Sequence, residues 1–137
     1  MHSGREDQAP SVFLNVDLDI RSSSNLEPLL VALCRQKKAF VLNSGLHKRT
    51  YFASLELDGR GGLTANQTLR RLCALIQALP KTERELWDKA KVRDFSLGVE
   101  PRLDLYCDEL PIAADTLETV AELNARIVFC VYAPDQS

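Results

Sequence analysis

The sequence predicts an α+β fold, a mostly antiparallel sheet with its helices packed on one face. Three observations predict it. Several segments alternate apolar and polar residues with the period of a strand, and the segments between them repeat apolar residues at helical spacing behind cap-type residues. The 137 residues are 45% hydrophobic, enough for one compact domain and too few for two. The elements run strand, helix, strand, strand, helix, helix, strand, strand, helix, strand. The first part is the split βαβ order of a ferredoxin-like sandwich, extended by an additional strand, helix and strand. A single domain is expected over residues 12–134, after a polar, disordered arm over 1–11 that includes His2 and before a short tail over 135–137.

The first strand is read over Val12 to Ile20, where Val12, Leu14, Val16, Leu18 and Ile20 alternate with Phe13, Asn15, Asp17 and Asp19. A helix from about Asn25 to Gln36 follows, opened by a Ser24/Glu27 capping box and striped by Leu26, Leu29, Leu30, Leu33 and Cys34. Ala39 to Leu42 and Thr50 to Leu57 form a hairpin, with its turn placed in the segment from Asn43 to the basic His47, Lys48 and Arg49. The loop Asp58 to Gly62 leads to a second capping box, Thr64 with Gln67, and a helix striped by Leu69, Leu72, Cys73 and Ile76. A shorter helix from Thr82 to Lys89, capped by Thr82 with Glu85, presents Leu86, Trp87 and Ala90. Strands follow at Phe95, Leu97, Val99 and at Leu103, Leu105, Cys107. A helix capped by Asp115 with Glu118 then turns Leu117, Val120, Ala121 and Asn124 inward, and Ile127 to Tyr132 reads as a covered interior strand.

A formal net charge of -2 gives no general attraction to phosphate backbones or anionic lipid, so neither nucleic acid nor membrane is an expected partner. No apolar run approaches the roughly 20 residues of a membrane span, and the opening residues lack a secretory pattern, which points to the cytoplasm. The four cysteines, Cys34, Cys73, Cys107 and Cys130, form no CxxC pair and each falls in an apolar pattern, as small buried hydrophobes in a reducing compartment do.

The segments TYFASLEL, TANQTLRRLCALIQALP, DFSLGVE, LDLYCDELPIAADTLETVAELNARI and VFCVYA, over about the last two thirds of the chain, resemble a bacterial domain family of unknown function, number 4279. The family often carries a tryptophan on an early strand where this chain has Phe52 or a neighbour. The resemblance implies an α+β sandwich and, through toxin-immunity neighbourhoods, a binding role; it implies no chemistry.

No GxGxxG, GxxxxGK[ST], GxSxG or HExxH motif is present, and no catalytic residue, metal ligand or cofactor is expected. Gly59, Gly61 and Gly62 around Arg60 could cradle a phosphate, but they also suit a plain strand-to-helix turn. His47 beside Lys48 and Arg49 reads as a solvated hairpin residue. With Val16, Leu55, Leu97 and Leu105 turned to the helices, alternation sends Asn15, Asp17, Asp19, Phe52, Ser54, Glu56, Asp94, Ser96, Asp104 and Tyr106 to the opposite side.

That acidic, aromatic-bearing face can be an ordinary wet sheet surface. It can also be a surface for a basic protein partner built from Asn15, Asp17, Asp19, Phe52, Glu56, Asp94, Asp104 and Tyr106. A third reading is a small-molecule, metal or acid-base site on Asp17, Asp19, Glu56 and Asp94. The partner surface is the preferred functional reading, because the face has no histidine ligand and no dense carboxylate loop. Oligomeric state is not legible.

Overall fold

The alternating segments pair into a five-stranded mixed sheet in the computed structural model, which describes residues 13–59, 61–101 and 109–133. Its elements are β1 (Phe13–Ser22), α1 (Glu27–Leu33), β2 (Ala39–His47), β3 (Thr50–Leu57), α2 (Ala65–Gln77), α3 (Lys81–Lys89), β4 (Val92–Val99), α4 (Ala114–Glu122) and β5 (Arg126–Val131). The strand order is β2-β3-β1-β4-β5. The first four strands pair antiparallel with one another, and β5 lies parallel to β4. The α+β class is as expected, with β3 inserted between β1 and β2. The strand expected over Leu103 to Cys107 lies outside the described residues. No described helix is long and apolar enough to cross a membrane.

One side of the sheet meets the helices. Val16, Leu18 and Ile20 of β1, Ala53, Leu55 and Leu57 of β3, and Phe95 and Leu97 of β4 join one buried cluster with Leu29, Leu30 and Leu33 of α1, Leu69, Leu72, Cys73 and Ile76 of α2, Trp87 of α3 and Val120 and Leu123 at the end of α4. Fully burying each large apolar side chain contributes roughly 1.5–3 kcal/mol, so this cluster is the main source of stability. The Trp87 indole donates to the Leu123 carbonyl at 3.0 Å, which lets a polar ring atom sit in the core without loss. Arg93, at the start of β4, donates to the carbonyls of Trp87, Asp88 and Ala90 behind α3 and of Asn124 behind α4. One guanidinium thus donates to carbonyls at two helix ends, that of Trp87 shared with the Ala90 amide, and meets both dipoles with the favourable sign.

The helix starts differ from the sequence reading in instructive ways. The Thr64/Gln67 capping box forms in both directions, at 3.0 and 3.1 Å. Ser24 and Glu27 make no such box, because the Ser24 amide donates to Ser22 Oγ and the Glu27 amide to Asn25 Oδ1, and the helix begins only at Glu27. Pro80, with φ -60° and ψ 160°, opens α3, which leaves Thr82 inside the first turn and unable to cap it. α4 starts at Ala114, so Asp115 falls in its first turn and pairs with Arg70 instead of capping. Its inward stripe is Thr116, Val120 and Leu123 rather than Leu117, Val120, Ala121 and Asn124; Leu117 is 46% exposed. Leucine content drew the stripe one position late, since the buried Thr116 carries a hydroxyl that finds no hydrogen-bond partner.

Two strand expectations also change. β2 continues through Asn43, Ser44 and Gly45 to His47, and the turn is the pair Lys48 and Arg49, both left-handed at φ 49° and 68°. Two residues with positive φ match the right-handed twist of a hairpin, at about 1–2 kcal/mol of backbone strain for each non-glycine residue. β5 is not an interior strand. Among the described residues it pairs only with β4, and Phe129 and Val131, with Tyr132 just after them, are more than half exposed. A run of apolar residues specifies a strand without specifying its place, and the parallel return from β4 through α4 makes this one the last of the described strands.

Candidate functional site

The side of the sheet away from the helices collects six of the eight residues proposed for a partner surface. Asn15, Asp17 and Asp19 lie on central β1, Phe52 and Glu56 on β3, and Asp94 on β4; Asp104 and Tyr106 lie outside the described residues. Alternation puts these residues opposite the buried Val16, Leu18, Ile20, Leu55 and Phe95. The register then brings Asp17 across from Glu56 and Ser96, and Asp19 across from Ser54 and Asp94.

Neighbouring carboxylates at this spacing repel unless donors intervene, and the side chains supply them. Asn15 Nδ2 donates to Asp17 Oδ1 at 2.9 Å and to Glu56 Oε2 at 2.8 Å. Ser54 and Ser96 donate their hydroxyls to the two oxygens of Asp19 at 2.6 and 2.7 Å. Arg126, which opens β5, grips Asp94 with two parallel bonds, Nε to Oδ1 and Nη2 to Oδ2, both 2.8 Å. The bond to Asp94, and then its charge, raise the Arg126 pKa. Glu56 and Asp94 are only 9% and 8% exposed, so the face is a bonded polar layer rather than loosely solvated acids.

Asn15, Asp17, Asp19, Glu56 and Asp94 are therefore brought together as read from the sequence. Phe52 is half-buried rather than freely presented. Its ring lies against β2 at Gly45, where an added Cβ would stand 3.0 Å from the ring edge, so glycine there makes room for it. Arg126 was missed. Its only sequence signal is a cation at the first position of the last strand, and its pairing with Asp94 depends on the β4 and β5 register.

Among the described residues four carboxylates, Asp17, Asp19, Glu56 and Asp94, stand with Arg21 and Arg126 on this face, an excess of two negative charges. Among the described residues no group of three His, Cys, Asp or Glu side chains is placed to hold a metal ion. His47 sits at the far end of β2, paired across the hairpin with Thr50. Cys73 is a core residue, and burial pushes its thiol up to about 11. Cys34 and Cys130 are half-buried rather than enclosed, and Cys107 lies outside the described residues.

The glycine loop before α2 behaves as a turn, with Gly59 and Gly62 left-handed; Arg60 lies outside the described residues. A hollow of about 660 Å³ adjoins it. Three of its polar side chains serve the fold: Thr64 and Gln67 cap α2, and Asn66 accepts the Ala113 amide at 2.9 Å. Comparison of this chain with family models, with curated proteins and with solved structures finds no match.

Proposed function

We propose that the protein is a binding module whose sheet face away from the described helices engages a basic protein partner. The observation that carries this reading is the array of Asp17, Asp19, Glu56 and Asp94 on neighbouring strands, held in place by Asn15, Ser54, Ser96 and Arg126. A carboxylate fixed by donors on one side keeps acceptor capacity on its other lone pairs, so a cationic partner would meet a preorganised surface rather than mobile acids. Long-range attraction would raise the encounter rate and fall with ionic strength. Phe52 supplies apolar area at the β2 side of the array. The resemblance to the bacterial domain family 4279 supplies an immunity-type role as the setting for such a partner. A metal or small-molecule site on the same carboxylates has no further observation in its favour.

Selection from a random peptide display library with immobilised protein tests the reading. Wild type is expected to enrich Lys- and Arg-rich sequences, and the variant Asp17→Asn, Asp19→Asn, Glu56→Gln, which keeps side-chain shape and removes three charges, is expected to lose that enrichment. Equal enrichment by both proteins, or enrichment of acidic or uncharged sequences, would discard it.

A further inference from the structure

The sheet ends at β2, which among the described residues pairs only with β3. Every residue of it after Ala39 is exposed, including Phe40, Val41, Leu42 and Leu46. An edge shielded against pairing carries charge along its middle. β2 is built the other way round, with an uncharged centre and cations outside its ends: Lys37 and Lys38 before it, Lys48 and Arg49 after it.

Two hollows lie on the helix side of this edge. One, of about 530 Å³, joins Lys37, Lys38 and Arg71 to an apolar floor that includes Leu57 and Leu75. The other, of about 230 Å³, lies between the start of α1 and the hairpin, with Leu30, Leu46 and Tyr51 in its wall. Among the described residues five cations, Lys37, Lys38, Lys48, Arg49 and Arg71, surround the strand and the first hollow, against Asp58 and Glu27 in the hollows and the nearly buried Glu56 behind Phe40.

We propose that β2 is a strand-addition edge that takes up an extended acidic peptide segment of a partner protein, its alternate side chains entering the two hollows and its acidic ends meeting the flanking cations. Main-chain hydrogen bonds to the open edge supply affinity, and the hollows read every second side chain. β2 has nine residues; at about 3.3 Å per residue a segment of similar length spans both basic ends. A second copy of this chain fits poorly. With both ends of β2 basic, antiparallel or parallel pairing of two copies opposes like charges at each end. The register break between Val41 and Asn43 also bends the edge, which a short peptide can follow and a rigid sheet margin cannot. This edge adjoins the anionic face where Phe40 pairs with Glu56, but its hollows lie on the helix side and its cations outside the carboxylate array, so either proposal can fail alone.

The test uses the blocked peptide Glu-Glu-Val-Thr-Val-Thr-Val-Glu-Glu, titrated into the full chain and followed by amide NMR shifts and hydrogen exchange. Shifts over residues 37–49 and 71–78, with slowed exchange of β2 amides, are expected. Replacing the four glutamates by lysines is expected to weaken binding at least about tenfold, and Lys37→Glu with Arg71→Glu is expected to reverse the order of the two peptides. The proposal is overturned if no shifts occur, if they map to β1 and β4, or if a peptide with proline at its centre binds equally well. It is overturned equally if sedimentation shows a dimer of the chain protecting the same amides.

Discussion

The two sides of β1 share one backbone and are held by different physics. Toward the helices, Val16, Leu18 and Ile20 are essentially inaccessible and contribute through area removed from water. On the other side Asn15, Asp17 and Asp19 are half-buried and held by bonds from neighbouring side chains. A polar layer of this kind returns little net stability, because each bond replaces one to water. What it provides is position. The core side therefore sets how stable the protein is, and the polar side sets what the protein presents.

Substitution on either side should separate these roles. Leu18→Ala removes buried methyl groups and leaves a cavity, and is expected to lower stability by about 2–5 kcal/mol in urea denaturation. Asp19→Asn, one residue away, keeps the shape and is expected to change it by no more than about 1 kcal/mol. Comparable losses from the two variants would mean that the polar layer supports the fold as strongly as the core does.

Arginine offers a second contrast between the same two sides. Arg93, on the helix side of β4, serves four carbonyls at two helix ends, whereas Arg126 on the open side holds one carboxylate and is largely exposed. Arg93→Met should cost about 2–3 kcal/mol, since hydrogen bonds to charged groups are each worth more than neutral ones and the carbonyls of Trp87 and Ala90 lose a donor. Thermal unfolding would check it. A loss below about 1 kcal/mol, typical of exposed ion pairs, would show that water caps the helix ends as well as Arg93 does.

The α+β class, all three strands at the centre of the sheet and the α2 stripe were legible because strict alternation and a reciprocal cap are local signals. The carboxylates shared one side of the sheet for the same reason: period two fixes the side once a single buried neighbour is known. The rest depended on partners distant in sequence. β5 looked interior because nothing in Ile127 to Tyr132 records how many neighbours a strand has. Thr82 and Asp115 had the spacing of caps, but the helices started before them. The roles of Arg93 and Arg126 depend on helix ends and a strand register that one-dimensional pattern does not carry. Lys48 and Arg49 adopt a conformation usually given to Asn-Gly, so composition placed the turn too early.

The smallest effect belongs to a pair on neither side of the sheet. Arg70 on α2 and Asp115 in the first turn of α4 meet at 2.9 Å with both side chains largely exposed. The hydrogen bond from Arg70, with its charge, holds the Asp115 carboxyl below its ordinary value. A carboxyl depressed in the folded state stabilises the fold at pH values above its unfolded pKa, and that contribution disappears as pH falls through the folded one. Wild type and Arg70→Met should therefore differ slightly in urea midpoint near neutral pH, draw together as pH falls past the ordinary carboxyl value of about 3.9, and coincide only below the lower folded value, once Asp115 is protonated in both states. Exposure and salt keep the difference small, and added salt should shrink it further. A gap that persists in acid would mean that Arg70 joins α2 to α4 by packing its aliphatic stem, with the ion pair incidental to that contact.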